Sequence, residues 1–198
     1  MKRVIYLLIF VVLASVNAVA QNTSLYGGLV ISDALFFIDQ ATIDPQKKAG
    51  VVFGLDNEFK VAGNLYLGAG IEYSGRGYRV KSDTNNFSTA VNYVNFPVTG
   101  RYKFNLEDLL VSFELGPFLG VALSGKTIQD DGTEIDYDFG KGEGELSHID
   151  YGFILGYAVE FEGVKLRFAY NAGLKNISSS RLETIKNRAF TLTAAVSF

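Results

Sequence analysis

The last ten residues of the chain, from Ala189 to Phe198, constrain its fold more than any other stretch. Every second residue here is apolar, and the residues between them are small or hydroxylated. The apolar positions are Phe190, Leu192, Ala194, Val196 and Phe198. Because successive side chains of a strand point to opposite faces, this alternation predicts a strand with one apolar face. A strand of about ten residues, tilted by roughly 45°, spans a bilayer, so the stretch predicts a membrane-crossing strand.

The same alternation recurs through the chain, in segments separated alternately by short turns and long polar loops. The predicted strands are 24–31, 51–61, 65–75, 91–104, 109–124, 148–161, 164–174 and 189–198. Short turns are predicted at 62–64, 105–108 and 162–163, and long loops at 33–50, 77–89, 125–147 and 175–186. The turn Glu162-Gly163 fixes the register of its hairpin, with Glu160 opposite Lys165. The pattern predicts eight antiparallel strands in up-and-down order.

Two prolines, Pro97 and Pro117, fall inside predicted strands. Proline lacks the amide proton that a strand donates to its neighbour, so it is normally confined to edges and bulges. We therefore expect a bulge or a local bend at each proline.

Residues 1–20 differ in composition from the rest of the chain. Lys2 and Arg3 form a basic start, residues 4–14 an apolar core, and residues 18–20 a small-x-small motif that ends in Ala20. This arrangement is typical of a secretory signal peptide, and we predict cleavage after Ala20. The alternative, a membrane anchor helix, needs closer to about 20 apolar residues. Residues 21–198 are then predicted to be a single exported domain.

The charged side chains of the predicted strands occupy the alternate positions between the apolar residues, so they point to the opposite face of the sheet. The acids are Asp56, Glu58, Glu72, Glu114, Asp150 and Glu160, and the bases are Lys60, Arg101, Lys103, Lys165 and Arg167, with Arg76 at the edge. Enclosed charges are costly unless they are paired. Equal numbers of acids and bases permit a paired network, of which Glu160 and Lys165 are the best-defined pair.

These faces predict an all-β fold, an eight-stranded antiparallel transmembrane β-barrel with its apolar face towards lipid and a polar, filled lumen. An unpaired strand edge is not tolerated in lipid, so the sheet must close on itself. Eight strands leave an interior that side chains fill. The alternative is a soluble antiparallel sheet with one wet face, which does not explain the signal peptide.

Composition excludes several classes of function. The net charge is −3, or −5 once Lys2 and Arg3 are removed, and no basic run is present that would bind nucleic acid. The sequence has no cysteine, which excludes disulfides and thiolate metal sites. It also lacks a phosphate-binding glycine loop, zinc-ligand spacing and a nucleophile elbow, so we expect no cofactor.

Short motifs along the chain point to a family. They are Gly54-Leu55 with Glu58, Asn64-Leu65-Tyr66-Leu67, Tyr73-Ser74, Gly77-Tyr78, Tyr93-Val94-Asn95-Phe96-Pro97, residues 116–120 and residues 170–177. In this order they resemble the outer-membrane β-barrel family that is common in Bacteroidota and typified by PorT-like proteins, over essentially all of residues 22–198. The resemblance implies an outer-membrane location. Some members are linked to protein secretion, so it also implies an accessory role in a secretion machine.

His148 is the sole histidine and lies close to Ser147 and Asp150 in sequence. A catalytic arrangement is defined by geometry and not by adjacency in sequence. We interpret His148 as a polar interface residue and expect the protein not to be an enzyme.

The loop between residues 126 and 145 carries a net charge of −5. Its clustered carboxylates are a candidate calcium site, although their spacing does not match an EF-hand. The favoured interpretation is a solvated acidic surface. The candidate ligands are Asp130, Asp131, Glu134, Asp136 and Asp138.

The sequence predicts a class of function and not a specific task. We expect an integral outer-membrane barrel with a structural or interaction role in the cell envelope. The alternative is an accessory component of a protein secretion or transport machine, and a small-solute channel or barrel enzyme is less favoured. The expected partners are outer-membrane lipid, an envelope protein at the extracellular loops, and the barrel assembly machinery, for which Phe198 is the predicted assembly signal.

Overall fold

The computed structural model describes residues 22–38, 41–43, 45–81, 86–140, 142, 145–180 and 183–198. The predicted signal peptide, residues 1–20 with cleavage after Ala20, lies outside the described residues. Across the described ranges, no helix is long and apolar enough to cross a membrane.

The described residues form ten strands, eight of them long. The strands are β1 (Asn22–Ile38), β2 (Ala41–Ile43), β3 (Gln46–Ala62), β4 (Leu65–Val80), β5 (Phe87–Leu106), β6 (Leu109–Gln129), β7 (Glu134–Asp136), β8 (Ile149–Phe161), β9 (Val164–Gly173) and β10 (Glu183–Ser197). Each long strand pairs antiparallel with the next, and β10 pairs with β1 to close the sheet. The short strands β2 and β7 pair with β1 and β6. The predicted eight-stranded antiparallel barrel is confirmed.

Several strands are longer than the sequence pattern predicted. β4 continues to Val80 and β5 begins at Phe87, so most of the predicted loop 77–89 is paired strand. β6 likewise continues to Gln129. The loop prediction was wrong because backbone pairing continues beyond the bilayer, where outward side chains meet water and the apolar alternation ends. β5 and β6 have 20 and 21 residues, about twice the 9–11 that cross a bilayer, so the start of β5 and the end of β6 project from the membrane.

Short turns join the strands at one end of the barrel, here called the turn end, where the first and last described residues, Asn22 and Phe198, also lie. The opposite end, with the longer connections, is the loop end. In the turn after β8, Glu162 and Gly163 have φ angles of +48° and +81°. Positive φ at both positions matches the right-handed twist of the flanking strands. The predicted register, with Glu160 opposite Lys165, is confirmed.

The strand pairing passes both prolines without a shift in register. The β4–β5 ladder keeps one register on either side of Pro97, and Pro117 lies directly opposite Phe153 of β8. The bulges expected at the prolines are therefore not found in these described ladders. The β5–β6 register shift lies at Asn92 and Tyr93 instead. Proline removes one hydrogen bond from a ladder but adds no residue to it, so the register is preserved.

The outward faces of the long strands are apolar and the inward faces polar. Leu29, Phe53, Leu115, Leu155 and Val196 are each more than 50% exposed. The buried charged residues are Asp56, Glu58, Glu72, Arg76, Arg101, Lys103, Glu114, Asp150 and Lys165. A water-soluble barrel has the opposite arrangement, so the predicted lipid-facing surface and polar lumen are confirmed.

Apolar side chains fill the lumen at the loop end. Described residues of the connections after β6 and β9 fold across this end, where the N–H of Ser147 donates to the carbonyl of Ile177 at 2.8 Å. Leu146 and Ile177 are 4% and 1% exposed. Leu146 packs with Tyr93, and Ile177 with Tyr78. The charged part of the lumen is therefore covered by an apolar layer at this end.

Candidate functional site

The charged lumen is built around a two-pronged contact between β3 and β5. Arg101 donates from Nη1 to Asp56 Oδ2 at 2.5 Å and from Nη2 to Asp56 Oδ1 at 2.9 Å. The planar guanidinium matches the two carboxylate oxygens, and this fixes orientation as well as charge. β4 lies between the two strands, and a Cβ at Gly68 would be 2.4 Å from Arg101 Cζ. Glycine at this position therefore makes room for the guanidinium.

Glu58 is the centre of the cationic part of the network. Its Oε1 lies 2.5 Å from Lys165 Nζ, and its Oε2 lies 2.5 Å from Lys103 Nζ. Arg101 Nη1 is 3.3 Å from Glu58 Oε1. The Glu58 side chain is 1% exposed. A single buried carboxylate thus contacts three cations from two strands.

Glu114 and Glu72 extend the network towards the middle of the barrel. Arg167 Nε donates to Glu114 Oε1 at 2.5 Å, and Arg101 Nε lies 3.2 Å from the other oxygen of Glu114. Glu72 is bound by neutral groups, because Tyr26 Oη and Asn95 Nδ2 each donate to it at 3.0 Å. Hydrogen bonds to a buried carboxylate offset part of its desolvation.

A second, smaller cluster lies nearer the loop end around Asp150. Asn187 Nδ2 donates to Asp150 Oδ2 at 2.9 Å, and Arg76 Nη1 is 3.8 Å from the same oxygen. The Arg76 guanidinium lies 5.3 Å from the ring centroid of Phe118 and 5.7 Å from that of Tyr93. This arginine therefore combines a loose ion pair with contacts to two aromatic faces.

Two members of the predicted network are placed differently from the expectation. Lys60 is exposed at the turn end of β3, with its Nζ 6.0 Å from the ring centroid of Tyr66, so it lies outside the buried network. Lys165 turns to Glu58 at 2.5 Å and lies 3.7 Å from Glu160, which makes the expected best-defined pair the weaker one. The register places Glu160 and Lys165 opposite each other, but a long flexible ammonium moves to the more deeply buried carboxylate.

Little space remains between these side chains. One cavity of about 30 Å³ is lined by Tyr26, Asp56, Arg167 and Thr193 among others, and a volume of that size holds about two water molecules. The buried Thr193 hydroxyl has no hydrogen-bond partner among the described residues. The described lumen is therefore filled mainly by side chains.

The five carboxylates of the acidic loop are spread along the exposed end of a hairpin. Glu134 Oε2 lies 2.9 Å from Lys126 Nζ. Asp131 accepts the backbone N–H of Thr133, and this hydrogen bond lowers the pKa of Asp131. Within the described part of the chain, no three acidic or histidine side chains converge to hold a metal. Calcium binding stays an untested hypothesis for Asp130, Asp131, Glu134, Asp136 and Asp138.

His148 lies exposed at the loop end of β8, with its ring stacked on Phe139 at 5.2 Å between centroids. The hydroxyl of Ser147 donates to the carbonyl of Ile149 at 3.0 Å. Asp150 is fully buried and bonded to Asn187. No hydrogen bond joins His148 to Ser147 or Asp150 among the described residues. The expectation that the protein is not an enzyme stays a prediction.

Phe198 completes the pairing of the last strand with the first. Its N–H donates to the carbonyl of Thr23 at 2.8 Å, and its carbonyl accepts the N–H of Thr23 at 3.2 Å. Its side chain is 77% exposed at the turn end. The ring is thus accessible to another molecule and contributes little to packing within the barrel.

Four neutral side chains that the sequence pattern did not reveal complete the network. They are Tyr26, Tyr93, Asn95 and Asn187, each of which bonds to a buried carboxylate or to one of its partners. Each is one of the alternate residues of its strand that point into the lumen, and this alternation was the signal available in the sequence. The two tyrosines were hidden because aromatic residues also cover the lipid face.

A closed barrel with an apolar outer surface and a charged, filled interior defines an integral outer-membrane β-barrel. The chain belongs to the family described as the outer membrane protein beta-barrel domain, which matches residues 19–179. The protein is therefore located in the outer membrane, in contact with its lipid. In barrels of this kind the short turns face the periplasm and the longer loops the outside, so the loop end is extracellular.

Solved structures with a similar fold share little sequence with this chain. Ail, the attachment invasion locus protein of Yersinia pestis, solved with the heparin analogue sucrose octasulfate, is 15% identical with a TM-score of 0.46, covering 89% of this chain and 98% of that chain. Neisserial surface protein A is 13% identical with a TM-score of 0.47, covering 89% and 97%. The outer membrane enzyme PagL is 10% identical with a TM-score of 0.42, covering 84% and 98%. No curated protein matches the sequence. These similarities are too low to carry a function.

Proposed function

We propose that the protein has a structural or interaction role in the cell envelope and engages an envelope partner through its extracellular hairpins. The observation that carries this proposal is the contrast between a filled lumen and the loop ends of β5 and β6, which extend well beyond the bilayer. Binding in such a barrel has to use its outer surface, because its interior is occupied by its own side chains.

The loop end of β6, together with β7, offers a suitable contact surface. β7 pairs with β6 through Lys126 opposite Asp136 and widens the projecting sheet. Ile135 is 48% exposed between two acidic residues, on a segment that lies beyond the lipid-facing belt. An exposed apolar side chain within a polar rim is the usual composition of a protein interface.

The lumen argues against transport through the barrel. Several of its charges are paired at 2.5–3.3 Å, and the apolar layer with Leu146 and Ile177 covers the loop end. Opening a path would separate buried ion pairs, each of which is costly to break. We therefore propose that the barrel is not a diffusion channel. That it is not an enzyme remains a prediction.

The proposal is tested by site-specific photocrosslinking in intact cells. A photoreactive residue at Gln129 or Asp136 is expected to give a discrete protein adduct, whereas the same residue at the lipid-facing Leu155 is expected to give none. Unheated and heated gel mobility checks that each variant is folded. Equal adducts at all three positions, or stable single-channel conductance of the purified barrel, would contradict the proposal.

The second candidate is an accessory role in a secretion or transport machine, within the PorT-like branch known from Bacteroidota. The ordered motifs, among them Tyr93-Val94-Asn95-Phe96-Pro97, support it. A pull-down from native membranes in mild detergent distinguishes the two roles. Stoichiometric recovery of several envelope proteins together favours the machine, and recovery of one partner favours the simpler interaction role.

A further inference from the structure

A groove lies on the outer surface of the barrel, outside the charged lumen. It encloses about 310 Å³ and is lined by Asp33, Pro45, Lys47, Tyr170, Arg188 and Phe190. These residues come from β1, β3, β9 and β10 and from the residue preceding β3. The groove therefore spans the seam where the last strand closes on the first.

The groove has an aromatic floor and a cationic rim. The rings of Tyr170 and Phe190 are 4.7 Å apart between centroids, at an interplanar angle of 38°. Lys47 Nζ lies 5.8 Å from the Phe190 ring centroid. Arg188 Nε donates to Asp33 Oδ1 at 2.7 Å. Asp33 is the one carboxylate among the six described lining residues, against two cations.

The strand register places the groove at the edge of the lipid-facing belt. Ile31 lies opposite Phe190, and the next outward pair along the same ladder is Asp33 opposite Arg188. Two residues of strand cover about 7 Å, so the charged pair lies directly above exposed apolar side chains. Since the loop end is extracellular, this is the level of the headgroups of the outer leaflet.

More positive charge surrounds the groove. Arg79 lies opposite Gln46 on the exposed side of β4, and Lys186 lies on β10 opposite Leu35. Both belong to strands that border or neighbour the groove. A concave surface with several cations, an aromatic floor and an apolar wall below it fits a phosphorylated headgroup whose acyl chains remain in the bilayer.

We propose that this groove binds the phosphorylated headgroup of an outer-leaflet lipid. Lys47 and Arg188 bind the phosphate, and Asp33 holds the Arg188 guanidinium in position. The acyl chains lie along Phe190 and Ile31. A free phosphate would use only the cations, whereas a lipid also uses the apolar wall that continues below them.

The test is native mass spectrometry of the full-length folded barrel with diphosphorylated lipid A, its dephosphorylated form, and glucosamine-6-phosphate. We expect retention of the phosphorylated lipid, with K47Q weakening it about fivefold and K47Q/R188Q about thirtyfold. The control K60Q removes a lysine from the opposite end of the same strand and is expected to leave binding unchanged. K47Q keeps the Asp33–Arg188 pair, so it remains informative if the double variant does not fold.

Three outcomes would overturn the proposal. The first is equal retention of the phosphorylated and dephosphorylated lipids, which would show that only the acyl chains are recognised. The second is that glucosamine-6-phosphate occupies the groove as well as the phosphorylated lipid does, which would show that the groove binds a soluble phosphate. The third is an equal loss of binding in K60Q and K47Q, which would show that overall charge matters and not the groove.

Discussion

Lys165 Nζ and Glu58 Oε1 lie 2.5 Å apart, although 107 positions separate the two residues in the chain. Glu58 is on β3 and Lys165 on β9, so the contact crosses the lumen between strands that do not pair. Lys103 and Arg101 of β5 meet the same carboxylate. Closing the barrel therefore also brings the charged side chains of β3, β5 and β9 together in the lumen, where they compensate one another.

Removing the carboxylate of Glu58 is expected to be strongly destabilising. E58Q leaves the buried cations around it without their shared counter-charge, and breaking a buried pair in this way costs about 3–5 kcal/mol. The measurement is urea unfolding of the barrel in lipid vesicles, followed by unheated gel mobility. A midpoint equal to that of the parent protein would show that the network contributes no stability.

Two further variants separate this effect from a general loss of charge. E160Q alters a carboxylate at the edge of the network and is expected to lower the unfolding free energy less than E58Q does, because its distance of 3.7 Å from Lys165 is too long for a hydrogen bond. E58Q/K165M removes both partners, and the double-mutant cycle is expected to give a coupling of about 0.5–3 kcal/mol.

The seam between β1 and β10 is expected to tolerate a side chain at one glycine and not at its neighbour. A Cβ at Gly28 would lie 2.0 Å from the carbonyl oxygen of Leu192, whereas a Cβ at Gly27 has its nearest contact at 3.9 Å. G28A is therefore expected to cost about 1–3 kcal/mol through overpacking against a backbone atom. G27A, the matched control, should fold as the parent does. Equal yields of folded G28A and G27A barrels would refute the prediction.

Phe198 is expected to matter for assembly and not for the stability of the finished barrel. F198A keeps the backbone pairing with Thr23 and removes a side chain that is 77% exposed. The purified, folded variant should unfold within about 0.5 kcal/mol of the parent, while its insertion into the outer membrane of cells falls. F161A, which removes another exposed phenylalanine at the turn end, controls for lost apolar surface. Insertion of F198A at the parental level would rule out the assembly role.

Replacing Glu162 with asparagine is expected to make the barrel more stable. Glu162 has a φ of +48°, which asparagine adopts several-fold more readily than most residues, so E162N should stabilise the barrel by about 0.5–1 kcal/mol. E162Q removes the same charge but keeps the unfavourable backbone preference, and should show no gain. The measurement is the urea midpoint of unfolding for the parent protein, E162N and E162Q. A gain in E162Q equal to that in E162N would assign the effect to charge.

The sequence predicted the barrel because lipid imposes a strict rule on side-chain alternation. It placed the strand ends poorly, since β5 begins at Phe87 and β6 ends at Gln129, beyond the region where lipid imposes that rule. Inward parity identified the buried acids and most of the bases. Parity could not show that Lys60 lies at the exposed end of its strand, or that Lys165 turns from Glu160 to Glu58. Those choices depend on side-chain reach across the lumen.

The outer groove was not predictable from the same pattern. Lys47 and Arg188 lie 141 positions apart in sequence and share a surface only because β10 pairs with β1, and β1 with β3. Each residue alone is an ordinary cation near a strand end. Closure of the barrel is what places them together.

The distribution of charge across β3, β5, β6 and β9 also affects how an unfinished chain behaves. Glu58 and Glu114 receive cations from β5, and then from β9 through Lys165 and Arg167. A chain that stops before β9 leaves these carboxylates short of counter-charge and the sheet edge unpaired, and both are costly in lipid. Truncated copies are therefore expected to insert poorly into the bilayer, so the lumen charges help to select for complete chains.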